Sequence, residues 1–302
     1  MKPASVSPDR EERPLIGCAA GLSLLASISF APGSARADEA PPHVSESQHF
    51  TIDPVVDGVL IVGGAGFAEM LSLILSTGEI KPQPPGNPQM LLSIDRVAVT
   101  QTIDPHAGTY SNYGLWAAYG YAALDPVLSF VRDGRSAALV DAIMYGETIA
   151  LTEAFTDATK IAVRRPRPID YAQCQNTTAG TCSNTDLQLS FFSGHASATG
   201  AISATATYLA FVRQPHSARP WITLGVGLTL TSFVSYERVR AGEHFPTDVI
   251  MGSMAGAAIG VLVPHFHRRP HYHDKELESS PVWIGYERGA FGGGVVTLGG
   301  AL

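Results

Sequence analysis

Six apolar segments of helical length dominate the sequence: residues 58–77, 112–130, 138–164, 194–213, 220–238 and 247–264. They are rich in Ala, Leu, Gly and Met and are set apart by proline, glycine or charged punctuation. Apolar runs this long predict helices rather than strands. Together they predict an all-α fold in which six core helices pack into a bundle. With 302 residues, 45% of them hydrophobic and 16% charged, the chain can bury a sizeable core. Its formal charge of −7 provides no general electrostatic reason to hold nucleic acid, so an anion site must come from a local cluster of cations.

The first residues read as an export signal: a charged region ending at Arg13, an apolar stretch from Pro14, and small residues at Ala35 and Ala37 that suit cleavage. The expected organisation is a signal peptide over 1–37, a polar arm over 38–56, a helical domain over 57–269 and a polar, Gly-rich tail over 270–302. Cys18 lies near the start of the apolar stretch, the wrong end for lipidation. The remaining cysteines, Cys174 and Cys182, share a polar loop and are expected to form a disulfide in an oxidising compartment. His265, His267, His271 and His273 read as a solvated tail. The segment "VWIGYERGAFGGGVVTL" fits a short hairpin or an irregular end equally well.

Several of the six segments approach the ~20 residues that cross a bilayer. Glu69, Asp125, Asp141, Glu147 and Glu153 lie inside them, and acids at such depth are costly in hydrocarbon. That argues for an exported, periplasmic bundle, with association at a membrane surface left open. The alternative is an integral membrane protein whose active site faces the periplasm. Its support is that Arg132 and Arg135, Arg213 and Arg219, and Arg268 and Arg269 would all share one side of a six-helix bundle, but a cleaved signal exports residue 38 and six spans from there would put those loops outside, a conflict the soluble reading avoids.

Three short stretches carry chemistry. "KIAVRRPRP" supplies Lys160, then Arg167 and Pro168; "SGH" supplies Ser193, Gly194 and His195; "RVRAGEHFPTD" supplies Arg238, His244 and Asp248. Lys160, Arg167 and Arg238 are three cations suited to the charge on a phosphoryl group, and Pro166 should end the helix that bears Lys160 so that Arg167 can turn toward the same point. Serine before an apolar run is a helix N-cap, and the free N–H groups of that helix start, with a glycine allowing close approach, point at an anion. His244 and Asp248 are spaced i, i+4, neighbours on one face if the sixth helix begins near His244. Arg164, Arg165 and Arg240 have no place in these patterns and read equally well as surface charges.

Together the three stretches resemble the signature of the type 2 phosphatidic acid phosphatase superfamily, which includes class A bacterial acid phosphatases and vanadium haloperoxidases: K-x6-R-P, P-S-G-H and S-R-x5-H-x3-D. Phe192 replaces the proline of the second motif, and Glu237 replaces the serine of the third, setting a negative charge beside the anion site. The resemblance implies a metal-independent phosphatase acting on phosphate monoesters, with a phosphorylated small molecule or lipid as substrate. It makes His244 the nucleophile that forms a phosphohistidine, Asp248 its orienter and His195 the general acid. Lys160, Arg167, Ser193, Gly194 and Arg238 would hold the phosphate. No cofactor is expected, although vanadate could occupy the phosphate site. A metal held by His195, His244 and Asp248 is disfavoured by the three cations nearby. The rival functions are a vanadium-dependent haloperoxidase and a non-catalytic binding module.

Overall fold

The computed structural model describes residues 49–80, 82–173 and 189–268, and two strands at 283–288 and 294–299. The expected signal peptide, Cys174, Cys182, His271 and His273 lie outside the described residues. Six long helices form the body: α1 (Pro54–Ser76), α3 (Ala107–Asp133), α4 (Arg135–Val163), α6 (Gly194–Arg213), α7 (Arg219–Arg240) and α8 (Pro246–Phe266). Two short ones, α2 (Ser93–Thr100) and α5 (Pro168–Gln173), lie in the connections. The tail carries a hairpin in which β1 (Trp283–Arg288) pairs antiparallel with β2 (Gly294–Gly299) in the register Trp283 to Gly299, which decides between the two readings of that segment.

Local chemistry sets the helix ends. Asp53 caps α1 by accepting from the Val55 and Val56 amides, with Pro54 fixing the first turn. Arg164 closes α4 in the left-handed conformation, and the proline two residues on prevents its continuation. At the end of α7, Gly242 (φ 70°) donates to the Val239 carbonyl and Glu243 to the Arg238 carbonyl, a Schellman turn that only a positive φ permits. Because the helices alternate in direction, the described residues of the connections, 77–80, 82–106, 164–173, 189–193 and 241–245, gather at one end of the bundle.

The core runs between α3, α4, α6 and α8 through Met144, Tyr145, Ile202, Leu209 and Val263. Phe50 joins it, and the Thr51 amide donates to the His267 carbonyl, so residues 49–53 are bound to the bundle and not a free arm. His267 also departs from the solvated-tail reading, whereas His265 stays exposed at the end of α8. His265 bonds the Tyr208 hydroxyl, and His267 lies partly buried against α1 and α4. Gly252, Gly256 and Gly260 form a stripe along α8 that lies on the backbone of α6. A side-chain carbon on Gly252 would meet the Ser193 carbonyl oxygen at 2.7 Å, and one on Gly256 or Gly260 would collide with the Ser197 or Ala201 carbonyl.

The acids within the helices are turned inward. Asp141 pairs with Arg213 at 2.5 Å, and Asp125 pairs with Arg219 at 2.9 Å while accepting from Tyr145. The Tyr119 hydroxyl bonds Glu153 at 2.7 Å. Glu69 alone of the five stays exposed. The outward faces are apolar instead, including Val59, Val62 and Leu73 on α1, Val127 and Val131 on α3, Val226 and Leu228 on α7, and Met254 and Leu262 on α8. By length and composition α1 and α8 are each long and apolar enough to cross a membrane.

Candidate active site

The three stretches singled out in the sequence meet at the end of the bundle where those connections gather. The Ser193 hydroxyl caps α6 by accepting from the Ala196 amide, and the Ser193 amide donates to the Asp248 carbonyl. A side-chain carbon on Gly194 would stand 3.7 Å from Lys160 Nζ, so the start of α6 and the end of α4 present an ammonium group and free backbone amides to the same space. Lys160 itself pairs with Asp157 at 3.0 Å. Arg167 is fixed by its backbone, since its amide donates to Asp170 and the Asp170 amide donates back to its carbonyl. The Ile169 amide donates to the Gly242 carbonyl, which joins the Arg167 turn to the turn after α7.

His244 lies in that second turn and is buried. Its Nδ1 is 2.7 Å from the Ser190 carbonyl oxygen. A carbonyl only accepts, so Nδ1 bears the proton and Nε2 keeps its lone pair. Burial, then the charges of Arg238 and Arg167, hold this imidazole well below its ordinary pKa range, with Lys160 acting in the same sense. The ring is therefore neutral beside three cations, the form a nucleophile needs.

The orienting contact differs from the expected one. Helix α8 begins at Pro246, so His244 lies outside it, and Asp248 is committed to the helix start: its Oδ2 accepts from the Phe245 amide at 2.9 Å. Asp248 also accepts from the Ser190 hydroxyl and from Arg165. It thus reaches His244 through Ser190, whose hydroxyl it binds and whose carbonyl binds the ring.

Arg165, an equal candidate for a surface charge in the sequence, is the hub behind this arrangement. It pairs with Asp95 at 2.8 Å as well as with Asp248, donates to Thr247, stacks its guanidinium 4.0 Å above the Phe245 ring, and accepts the Ser190 amide at its own carbonyl. Asp95, on α2, also accepts from the Thr247 amide and hydroxyl. Arg240 makes only a half-exposed pair with Asp104 at 3.9 Å. His195 opens α6 with Nε2 2.8 Å from Asn112 Oδ1 of α3, a partner no sequence pattern indicated.

The acid that meets the anion site is Glu243. Its carboxylate bonds Arg167 and lies 3.5 Å from Arg238, bridging the two arginines. Glu237, the replacement noted in the third motif, is partly buried on α7. An apolar cavity of about 920 Å³ between α6, α7 and α8 is lined by Ser203, Phe211, Leu228 and Met254 and by none of the site residues.

Residues 141–272 match the sequence profile of the PAP2 superfamily. This region is similar to PAP2 superfamily members. It contains all three stretches, from Lys160 to Asp248. No curated protein matches the sequence. Among solved structures the chain is similar to one described as the first transmembrane PAP2 type phosphatidylglycerolphosphate phosphatase from Bacillus subtilis. The identity is 18% and the TM-score 0.42, over 70% of this chain and 94% of that one.

Proposed function

We propose that this protein is a membrane-embedded phosphatase of the PAP2 superfamily that removes phosphate from a lipid phosphate monoester through a phosphohistidine on His244. The observation that carries the reading is the bond from His244 Nδ1 to Ser190, which leaves Nε2 unprotonated on a ring that lies within the field of Arg238, Arg167 and Lys160. In the first step Nε2 attacks phosphorus, the three cations and the amides at the start of α6 stabilise charge on the phosphoryl oxygens, and the alcohol leaves with a proton from His195. In the second step His195 takes a proton from water, which attacks the phosphohistidine and releases inorganic phosphate. No step calls for a metal.

The lipid assignment rests on the surface. The outward faces of the long helices are largely apolar, Asp125, Asp141 and Glu153 are bonded inside, and exposed Tyr110, Tyr113, Trp116 and Tyr236 lie toward the end that holds His195 and Arg238, where an aromatic belt sits at headgroup level. Membrane embedding is preferred to the soluble periplasmic reading because Asp125, Asp141 and Glu153 are bonded inward, which leaves Glu69 as the exposed acid of the five.

The test is hydrolysis by full-length protein in detergent, with EDTA, of a diacyl lipid phosphate monoester and of a soluble aryl phosphate, together with acid-quench trapping of labelled phosphoenzyme. Wild type should prefer the lipid and trap label. His244→Ala should trap none, whereas His195→Ala should still trap label from the aryl phosphate, whose leaving group needs little protonation. Label trapped on His244→Ala would refute the nucleophile, and release of the protein from membranes without detergent would refute embedding.

A further inference from the structure

At the end of the bundle opposite the phosphate site, Asp57 in the first turn of α1, Glu147 in α4 and His267 just beyond α8 bring one ligand atom each to within 4.8 Å of the others. The sequence reading assigned no metal to the chain and left His267 in a tail. Three observations go beyond proximity.

The first is the tautomer. His267 Nδ1 is 2.8 Å from the Val263 carbonyl, so it bears the ring proton, and a neutral ring directs the lone pair of Nε2 at the two carboxylates. This backbone hydrogen bond is also the usual support of a metal-bound histidine. The second is the orphaned acid. Glu147 is 1% exposed. Its Oε1 has no hydrogen-bond partner among the described residues, and its Oε2 lies 3.6 Å from His267 Nε2, too far for a hydrogen bond. A proton shared between His267 and Asp57 at 3.2 Å would still leave this carboxylate unsatisfied. The third is spacing. Adjacent ligand atoms around a tetrahedral ion with bonds of about 2.0–2.1 Å are ~3.3 Å apart, and the separations from Nε2 here are 3.2 and 3.6 Å.

We propose that Asp57, Glu147 and His267 bind one divalent first-row transition ion of the zinc class, tying the start of α1 and the end of α8 to α4. Two carboxylates and a neutral imidazole match a doubly charged ion of borderline softness, and the ion would satisfy all three groups together. The role is structural. Thr51 and Phe50 already pair with His267 and Arg268 at this end, so the ion would fasten the segment entering α1.

The experiment is equilibrium dialysis of Zn²⁺ against full-length protein in detergent, with metal content and thermal unfolding both read. Histidines of the tail offer a competing site, so the decisive comparison is Glu147→Gln, with Asp57→Asn as a second variant should the first fail to fold. Wild type should hold one tight equivalent and unfold at higher temperature with Zn²⁺. Glu147→Gln should bind more than about tenfold more weakly and lose the shift. Equal binding in wild type and both variants would assign the ion to the tail and overturn the proposal. So would wild type that binds no tight equivalent. Neither outcome bears on the phosphatase reading.

Discussion

Glu243 occupies the arginine pair that a substrate phosphate would need, so Glu243→Gln should tighten phosphate binding. The Arg167 and Arg238 side chains are 11% and 10% exposed and that of Glu243 is 25% exposed. At an effective dielectric near 20, one such pair about 4 Å apart is worth ~4 kcal/mol before desolvation is counted. A charge-assisted hydrogen bond retains about 1.5–3 kcal/mol net. Glu243 regains water when it swings out, so the low end applies, and displacing it should cost a bound phosphate ~1.5 kcal/mol, or about tenfold in affinity. The amide of Gln keeps the shape and loses the charge. The assay is competitive inhibition by inorganic phosphate, with KM for the lipid monoester measured on the same preparations. Both constants should fall about tenfold in the variant, and kcat/KM should rise through KM. Unchanged or weaker phosphate inhibition would refute the reasoning and mean that Glu243 holds the arginines in place for substrate instead of competing with it.

Asp248→Asn should lower kcat and also destabilise the protein by about 3 kcal/mol, the low end for breaking a buried pair, because Arg165 keeps Asp95; a rate loss with unaltered denaturant unfolding would instead make Asp248 a direct orienter of His244. Gly256→Ala should cost at least about 1–3 kcal/mol by thermal unfolding through its collision with the Ser197 carbonyl, whereas Gly66→Ala, with open space around it, should be neutral or better. His244 has a folded pKa below its unfolded value of about 6.5, so its contribution to stability is complete above that pH. It falls as pH drops further, by up to ~1.4 kcal/mol per unit, because only the unfolded chain takes up the proton. Denaturant unfolding at pH 7.5 and 5.5 should show a larger loss for wild type than for His244→Gln, and an equal loss would mean that the folded ring titrates normally.

The six core helices were legible because length, proline and glycine punctuation and an N-cap such as Ser193 are local properties of the chain. The phosphate cations and both histidines were legible from spacing within three short stretches. Which face each helix buries was not, because these helices are apolar on nearly every side and their contacts run through small residues such as Gly256, so no polar stripe marks the outside. For the same reason the inward acids Asp125 and Asp141 counted against a membrane until Arg219 and Arg213 were found beside them. Partners far apart in sequence were equally hidden. Arg165 meets Asp95 and Asp248, His195 meets Asn112, and His267 meets Asp57 and Glu147, each across a separation on which no local pattern bears. The sequence by itself determined the helices and the chemical groups on offer, since capping, chain breaking and charge act within a few residues. Only the tertiary structure decided that Ser190 stands between Asp248 and His244 and that Glu243 lies on the arginines, because the Pro246 start of α8 and the Gly242 turn set those directions once the bundle has brought the three connections to one end.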